Sequence, residues 1–330
     1  MFTRISVSAL VAVSALVSSC SDWTQPEKLN FLRQTPEQEN PEQYAQYLES
    51  IKAYKETEHN LMLVGMNGIA DYPSSQNQHI MAMPDSADYV FVKMGETLHE
   101  KIAAEIPVVL EKKGTKTLLY VDYAETATTW QALEDKRSDN GEAPGTDEEL
   151  IAYFTEKTQA QIDRCNKYGF AGIIASFEGT AAAGYAYNSQ NAFMTVVKKF
   201  HEENPDKVMF FRGGARNVID QEFLKEFKAI IIVTGEEKKL AALPQRVLGS
   251  YPTNINVIME LTVPSTDVPE QVGETPYNAA KWIVETEHTA KYNPLGLSVA
   301  NAHDDYFQKE LAFINVRSAI SMMNPKTTEE

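Results

Sequence analysis

The 330-residue chain is poor in cysteine, with only Cys20 and Cys165, and poor in positive charge, with 30 Lys and Arg against 46 Asp and Glu. A single cysteine in the body excludes an intrachain disulfide there, so stability must come from a packed core. The formal net charge of −16 excludes nucleic acid and anionic membrane surfaces as partners, because both call for Lys and Arg clusters. After the N-terminal leader no segment approaches 18 uninterrupted apolar residues, so no spanning helix is expected. A Gly-x-Ser-x-Gly elbow is absent, and Gly213-Gly214 lacks the spacing of a dinucleotide fingerprint. The six histidines show no metal-ligand spacing, and His303-Asp304-Asp305 are neighbours that do not converge on one ion. Neither a metal nor a cofactor is expected.

What is present begins with an export signal. Arg4 supplies a positive charge, and Ile5 to Val17 form an apolar run too short to span a bilayer. The run ends in Val17-Ser18-Ser19-Cys20, which resembles the lipobox of bacterial lipoproteins. Residues 1–19 are then a signal peptide, and Cys20 becomes the acylated first residue, anchoring the chain to a membrane. The following Ser21-Asp22-Trp23-Thr24-Gln25-Pro26-Glu27 resembles signals that send lipoproteins to the exterior of the outer membrane.

Residues 20–40 read as a polar tether, and the folded body is expected over 41–325 with a tail at 326–330. Pro41 to Glu56 has helical spacing at Tyr44, Tyr47, Leu48 and Ile51. Eight short apolar or β-branched runs follow: Leu61–Met66, Tyr89–Met94, Thr117–Val121, Gly172–Phe177, Val208–Phe211, Ala229–Val233, Asn256–Leu261 and Leu295–Ala300. Most are separated by helical patterns, including Leu98-Ile102-Val109, Leu150-Phe154-Ile162, Phe193-Val197-Phe200, Val218-Phe223-Phe227 and Trp282-Ile283-Ala290. Such alternation predicts a parallel sheet with helical crossovers. Eight units in a body of this size predict an α/β fold, a single-domain (β/α)8 TIM barrel, ahead of a doubly wound sheet. Glu134 to Glu149 is charged and carries Gly141, Pro144 and Gly145, which predicts a loop after the third strand.

The fourth strand and its lead-in read Tyr168-Gly169-Phe170-Ala171-Gly172-Ile173-Ile174-Ala175-Ser176-Phe177-Glu178-Gly179. This segment resembles glycoside hydrolase family 18, the chitinases and endo-β-N-acetylglucosaminidases, whose signature is Asp-Gly-x-Asp-x-Asp-x-Glu. Gly172 and Glu178 match it, whereas Ala171, Ile174 and Ser176 stand where the three aspartates belong. Leu61 to Gly68 is similar to the family's first strand and Leu295 to Tyr306 to its closing strand. The sixth run continues Ile231-Ile232-Val233-Thr234-Gly235, without the tyrosine usual there.

The resemblance implies substrate-assisted hydrolysis, an exception to the two-carboxylate scheme. One carboxylic acid protonates the glycosidic oxygen, the substrate's N-acetyl carbonyl attacks the anomeric carbon, and an aspartate holds the acetamido group and offsets its growing positive charge. Residues 174, 176 and 178 alternate along one strand and share its inward face. Ser176 can hydrogen-bond an amide but cannot offset a cation. Each lost catalytic function costs roughly 10² to 10⁴ in rate, so Glu178 is expected to contact ligand more readily than to serve as general acid.

Strand ends of such a barrel build its site. Glu178, Ser176, Asn67, Tyr123, Arg212, Glu260 and Asn301 are therefore candidate sugar contacts, with Tyr185 and Tyr187 in a Gly/Ala-rich loop as a stacking platform. The expected protein is a surface glycan-binding lipoprotein on an inactive hydrolase barrel, recognising N-acetylglucosamine-containing glycans such as N-glycans. A slow endo-β-N-acetylglucosaminidase using Glu178, or a non-binding assembly partner of an outer-membrane glycan importer, are the alternatives.

Overall fold

The computed structural model describes residues 36–180, 183–249, 255–285 and 292–325. The signal peptide, Cys20, most of the 20–40 tether, Ala290 and the 326–330 tail lie outside the described residues. The chain divides into two compact units, 1–46 and 47–330. In the first, the described part comprises Pro36–Glu39 and the start of the helix Pro41–Lys55. All that follows concerns the second. No helix among the described residues is long and apolar enough to cross a membrane.

Eight parallel strands close into a barrel in sequence order. They are β1 (Leu61–Asn67), β2 (Tyr89–Lys93), β3 (Lys116–Asp122), β4 (Gly172–Phe177), β5 (Val208–Gly213), β6 (Ile230–Val233), β7 (Ile255–Leu261) and β8 (Tyr292–Val299). This is the expected TIM barrel. Its strands are almost wholly buried because the barrel interior packs one face and helices cover the other. Alternation sorts the side chains into two cores. Leu63, Phe91, Leu118, Tyr120, Ile174, Phe210, Ile231 and Ile258 fill the interior, while Val64, Val90, Leu119, Ile173, Phe177, Phe211 and Met259 meet the helices. At Gly172 a Cβ would come 1.8 Å from the Val208 carbonyl oxygen, so only glycine lets β4 and β5 approach there.

Two sequence expectations need correction. Glu134–Glu149 is not a loop: helices Tyr123–Asp139 and Asp147–Tyr168 occupy most of it, leaving only 140–146 between them. Its charged residues are good helix formers on an exposed face, and Thr146 starts the second helix with a reciprocal cap. The Thr146 Oγ1 accepts from the Glu149 amide (3.3 Å) while Glu149 Oε2 accepts from the Thr146 amide (3.1 Å). The helix from Tyr123 carries that turn about 25 Å along its axis from the strand end. The second correction is Val218-Phe223-Phe227, which forms no α-helix but a short 3₁₀ turn, Phe223–Glu226. All three side chains are buried as expected, yet Asn217 and Asp220 favour turns over helix.

Opposite the site, polar clamps close the amino-terminal end. Asn60 and Asn324 exchange hydrogen bonds between side chain and backbone at 2.9 Å, and His59 Nε2 lies 2.8 Å from Asp88 Oδ1 with both side chains over nine-tenths buried.

Candidate functional site

The inward face of β4 runs Ile174, Ser176, then Glu178 just past the strand. Ile174 belongs to the interior core, Ser176 is buried, and the Glu178 side chain is 53% exposed at the mouth. Register sets their neighbours: Ser176 pairs with Asp122 of β3 and with Arg212 of β5. Two residues below Asp122, on the same inward face, Tyr120 donates its hydroxyl to Ser176 Oγ at 2.8 Å.

Arg212 organises this face. Its Nη1 donates to Glu178 Oε1 at 2.5 Å and to Ser176 Oγ at 3.3 Å. Nε and Nη2 reach Glu260 Oε1 at 2.8 and 2.7 Å. Glu260, at the end of β7, is 3% exposed, a burial that a carboxylate tolerates only when paired. Burial works against the Arg212 charge, but the Glu260 carboxylate outweighs it and holds the guanidinium protonated more firmly than usual. Its plane also lies over the Tyr120 ring, 5.7 Å from the centroid. Tyr120 ionises less readily than a free phenol because it is buried.

The candidates separate into two groups. Glu178, Ser176, Arg212 and Glu260 form one connected network; the other five do not join it. Asn67 faces His303, Nδ2 to Nε2 at 3.3 Å. Asn301 clamps the Val263 backbone, donating to its carbonyl (2.8 Å) and accepting from its amide (2.9 Å). Tyr123 is buried among Phe154, Phe177 and Phe193, and its hydroxyl meets Ser189 at 2.8 Å. It opens a helix rather than the mouth, because Asp122 caps the chain immediately after β3. Tyr185 and Tyr187 lie not in a loop but in the first turn of the helix Tyr185–Glu203, both partly exposed. Burial beside Tyr123 lifts the Tyr185 phenol to about 12.

Three inward residues escaped the sequence reading: Lys93, Tyr120 and Asp122. Lys93 ends β2, and its ammonium lies 4.7 Å from the Tyr120 ring centroid. Burial lowers its pKa, partly offset by Glu260. Asp122 is pushed up by burial while its Oδ1 accepts from the Ala124 amide at 2.9 Å. The parity of Tyr89 and Phe91 could have pointed Lys93 inward, and that of Leu118 and Tyr120 could have done so for Asp122.

Beside the network lies a cavity of about 390 Å³ lined by Lys93, Arg212, Glu260, Thr234 and Asn301, with Val233, Leu261 and Val263 among its apolar walls. A hydroxyl has two acceptor positions and one donor. Both acceptors of Ser176 are taken, by Tyr120 and Arg212, so it cannot receive an amide N–H as an aspartate would. Glu178 accepts a charge-assisted bond from a guanidinium, whereas a general acid must present a proton. The mouth thus sets two cations, Arg212 and Lys93, beside the carboxylates Glu178, Glu260 and Asp122.

A model of glycoside hydrolase family 18, BT1044-like, matches residues 24–256. Comparison with curated protein sequences finds no match. Among solved structures, the endo-β-N-acetylglucosaminidase from Cordyceps militaris in apo form is similar at TM-score 0.60 and 16% identity, over 84% of this chain and 95% of that one. A Glu-to-Gln variant of BT1044 aligns at TM-score 0.59 and 15% identity, over 88% and 95%. An Asp-to-Asn, Glu-to-Gln variant of the Cordyceps enzyme, in complex with fucosyl-N-acetylglucosamine-Asn, aligns at TM-score 0.56 and 14% identity, over 84% and 95%. At these identities the likeness establishes the fold alone.

Proposed function

The chain belongs to glycoside hydrolase family 18, BT1044-like, and from that premise we propose that it binds N-acetylglucosamine-containing glycans without cleaving them efficiently. One observation carries the reading: Glu178, the sole carboxylate of the β4 motif, is ion-paired to Arg212 and flanked by Ser176 and Ile174. Substrate-assisted hydrolysis needs a protonated acid and an anion beneath the acetamido group. On β4 the one carboxyl group is engaged by Arg212, and Ser176 and Ile174 supply no anion. The complex of the Cordyceps enzyme variant with fucosyl-N-acetylglucosamine-Asn makes an N-glycan core the first ligand to try.

Titration calorimetry of the purified chain with an N-glycopeptide is expected to give saturable binding. Absence of binding to any N-acetylglucosamine-bearing glycan contradicts the proposal. The exposed Glu178 carboxylate favours a second reading, a slow endo-β-N-acetylglucosaminidase, which predicts truncated glycopeptide.

The lipobox-like Val17-Ser18-Ser19-Cys20 supports an outer-membrane lipoprotein facing the exterior. Labelled fatty acid should enter the wild-type chain in cells and not Cys20→Ala. Equal labelling of both contradicts the anchor.

A further inference from the structure

Three carboxylates of the barrel mouth are engaged by protein groups, while Glu236 and Glu270 stand at the exposed rim of the cavity. Glu260 and Glu178 hold Arg212, and Asp122 Oδ1 caps the helix that starts at Tyr123. The cation left over is Lys93. Glu260, Asp122 and Glu178 act on its ammonium through space. Yet among the described residues no carboxylate lies within ion-pair distance of Nζ and no acceptor within hydrogen-bond distance; its contact is the face of Tyr120. The side chain is half-buried and lines the 390 Å³ cavity. Burial and Arg212 work against its charge and the surrounding carboxylates offset only part of this, while its three N–H donors meet no protein acceptor among the described residues. The donors open into the cavity, and the aromatic face holds the ammonium there without using them.

We propose that Lys93 is the ligand-reading donor of this cavity, taking the acyl oxygen of a sugar that carries either an N-acetyl carbonyl or a carboxylate. The inference rests on the glycan-binding reading and names the sugar chemistry that its site selects. The walls suit such a group. Lys93 reaches the acyl oxygen from the β2 side, while Val233, Val263 and Ala300, which line the same cavity, receive the methyl or the edge of the sugar ring. A plain hydroxyl offers a weaker acceptor to an ammonium than an acyl oxygen does.

The test measures binding of three disaccharides to the purified chain and to Lys93→Met and Lys93→Arg. Diacetylchitobiose carries the N-acetyl group, digalacturonate the carboxylate, and cellobiose neither. The wild type should prefer one or both of the first two to cellobiose, and which one identifies the source of the acyl oxygen. Lys93→Met should weaken that preferred sugar roughly 10- to 100-fold, the range expected for a hydrogen bond to a charged donor, and leave cellobiose unchanged. Lys93→Arg should retain part of the preference. Methionine replaces an unpaired charge with an apolar chain of similar length, so its thermal melt should match or exceed the wild type. Protection of wild-type Lys93 from reductive methylation by the preferred sugar, read by mass spectrometry, checks the contact without any variant. Equal affinity of wild type and Lys93→Met for the preferred sugar, equal affinity of the wild type for all three, or no protection overturns the assignment alone. Failure of the wild type to bind any glycan overturns it together with the glycan-binding reading.

Discussion

The pairing of Arg212 with Glu260 shows how much of the site depends on barrel closure. The two residues are 48 positions apart, on β5 and β7, and no local pattern links them. Gly172 and Glu178 were legible because a strand motif fixes its own spacing, and Ser176 because its absence of charge breaks that motif. Lys93 and Asp122 were missed because each ends an apolar run, where a charge reads as a boundary. Removing the guanidinium leaves the buried Glu260 carboxylate uncompensated. Arg212→Met should therefore lose about 3–5 kcal/mol of stability, measured by urea unfolding, and Glu260→Gln should lose less because no bare charge remains. A loss of under about 1 kcal/mol in Arg212→Met would show that water solvates Glu260 and that the network is loose.

Elements proved easier to read than their connections. All eight strands occur where continuous apolar runs place them, since a strand buried on both faces has no polar alternation to confuse it. The helix Asp147–Tyr168 was clear from Leu150, Phe154 and Ile162, and Gly169 at φ 76° ends it. Its start was obscured by Asp147, Glu148 and Glu149, whose charges resemble a solvated loop yet suit a helix N-terminus. The reciprocal Thr146–Glu149 cap settles that start. Thr146→Ala should cost about 1 kcal/mol in chemical unfolding. Hydrogen exchange should quicken in the first turn of that helix and leave its last turn, beside β4, unchanged. Equal protection along the whole helix in both proteins would deny the cap its role.

At the scale of the molecule, the His59–Asp88 pair lies at the end of the barrel opposite the site, so it can be probed without disturbing the mouth. The hydrogen bond that the Asp88 carboxylate accepts from His59 raises the histidine pKa above its ordinary value of about 6.5. A raised histidine contributes stability that is fully present below its unfolded pKa and is lost as pH rises through its folded value. The melting-temperature gap between wild type and His59→Gln should be widest below about pH 6.5 and shrink as pH climbs above it. A gap that widens with pH would refute the charged pair. The barrel itself was legible because alternating strand and helix patterns leave few topologies open; the chemistry of its mouth was not, because inward side chains from five strands meet only after closure. That chemistry is tested most directly by incubating the purified chain with N-glycopeptide at high protein concentration, beside Glu178→Gln, and following the glycan by mass spectrometry. We expect intact glycopeptide in both samples throughout, whereas truncated glycan released by the wild type and abolished in Glu178→Gln would make this barrel a working hydrolase.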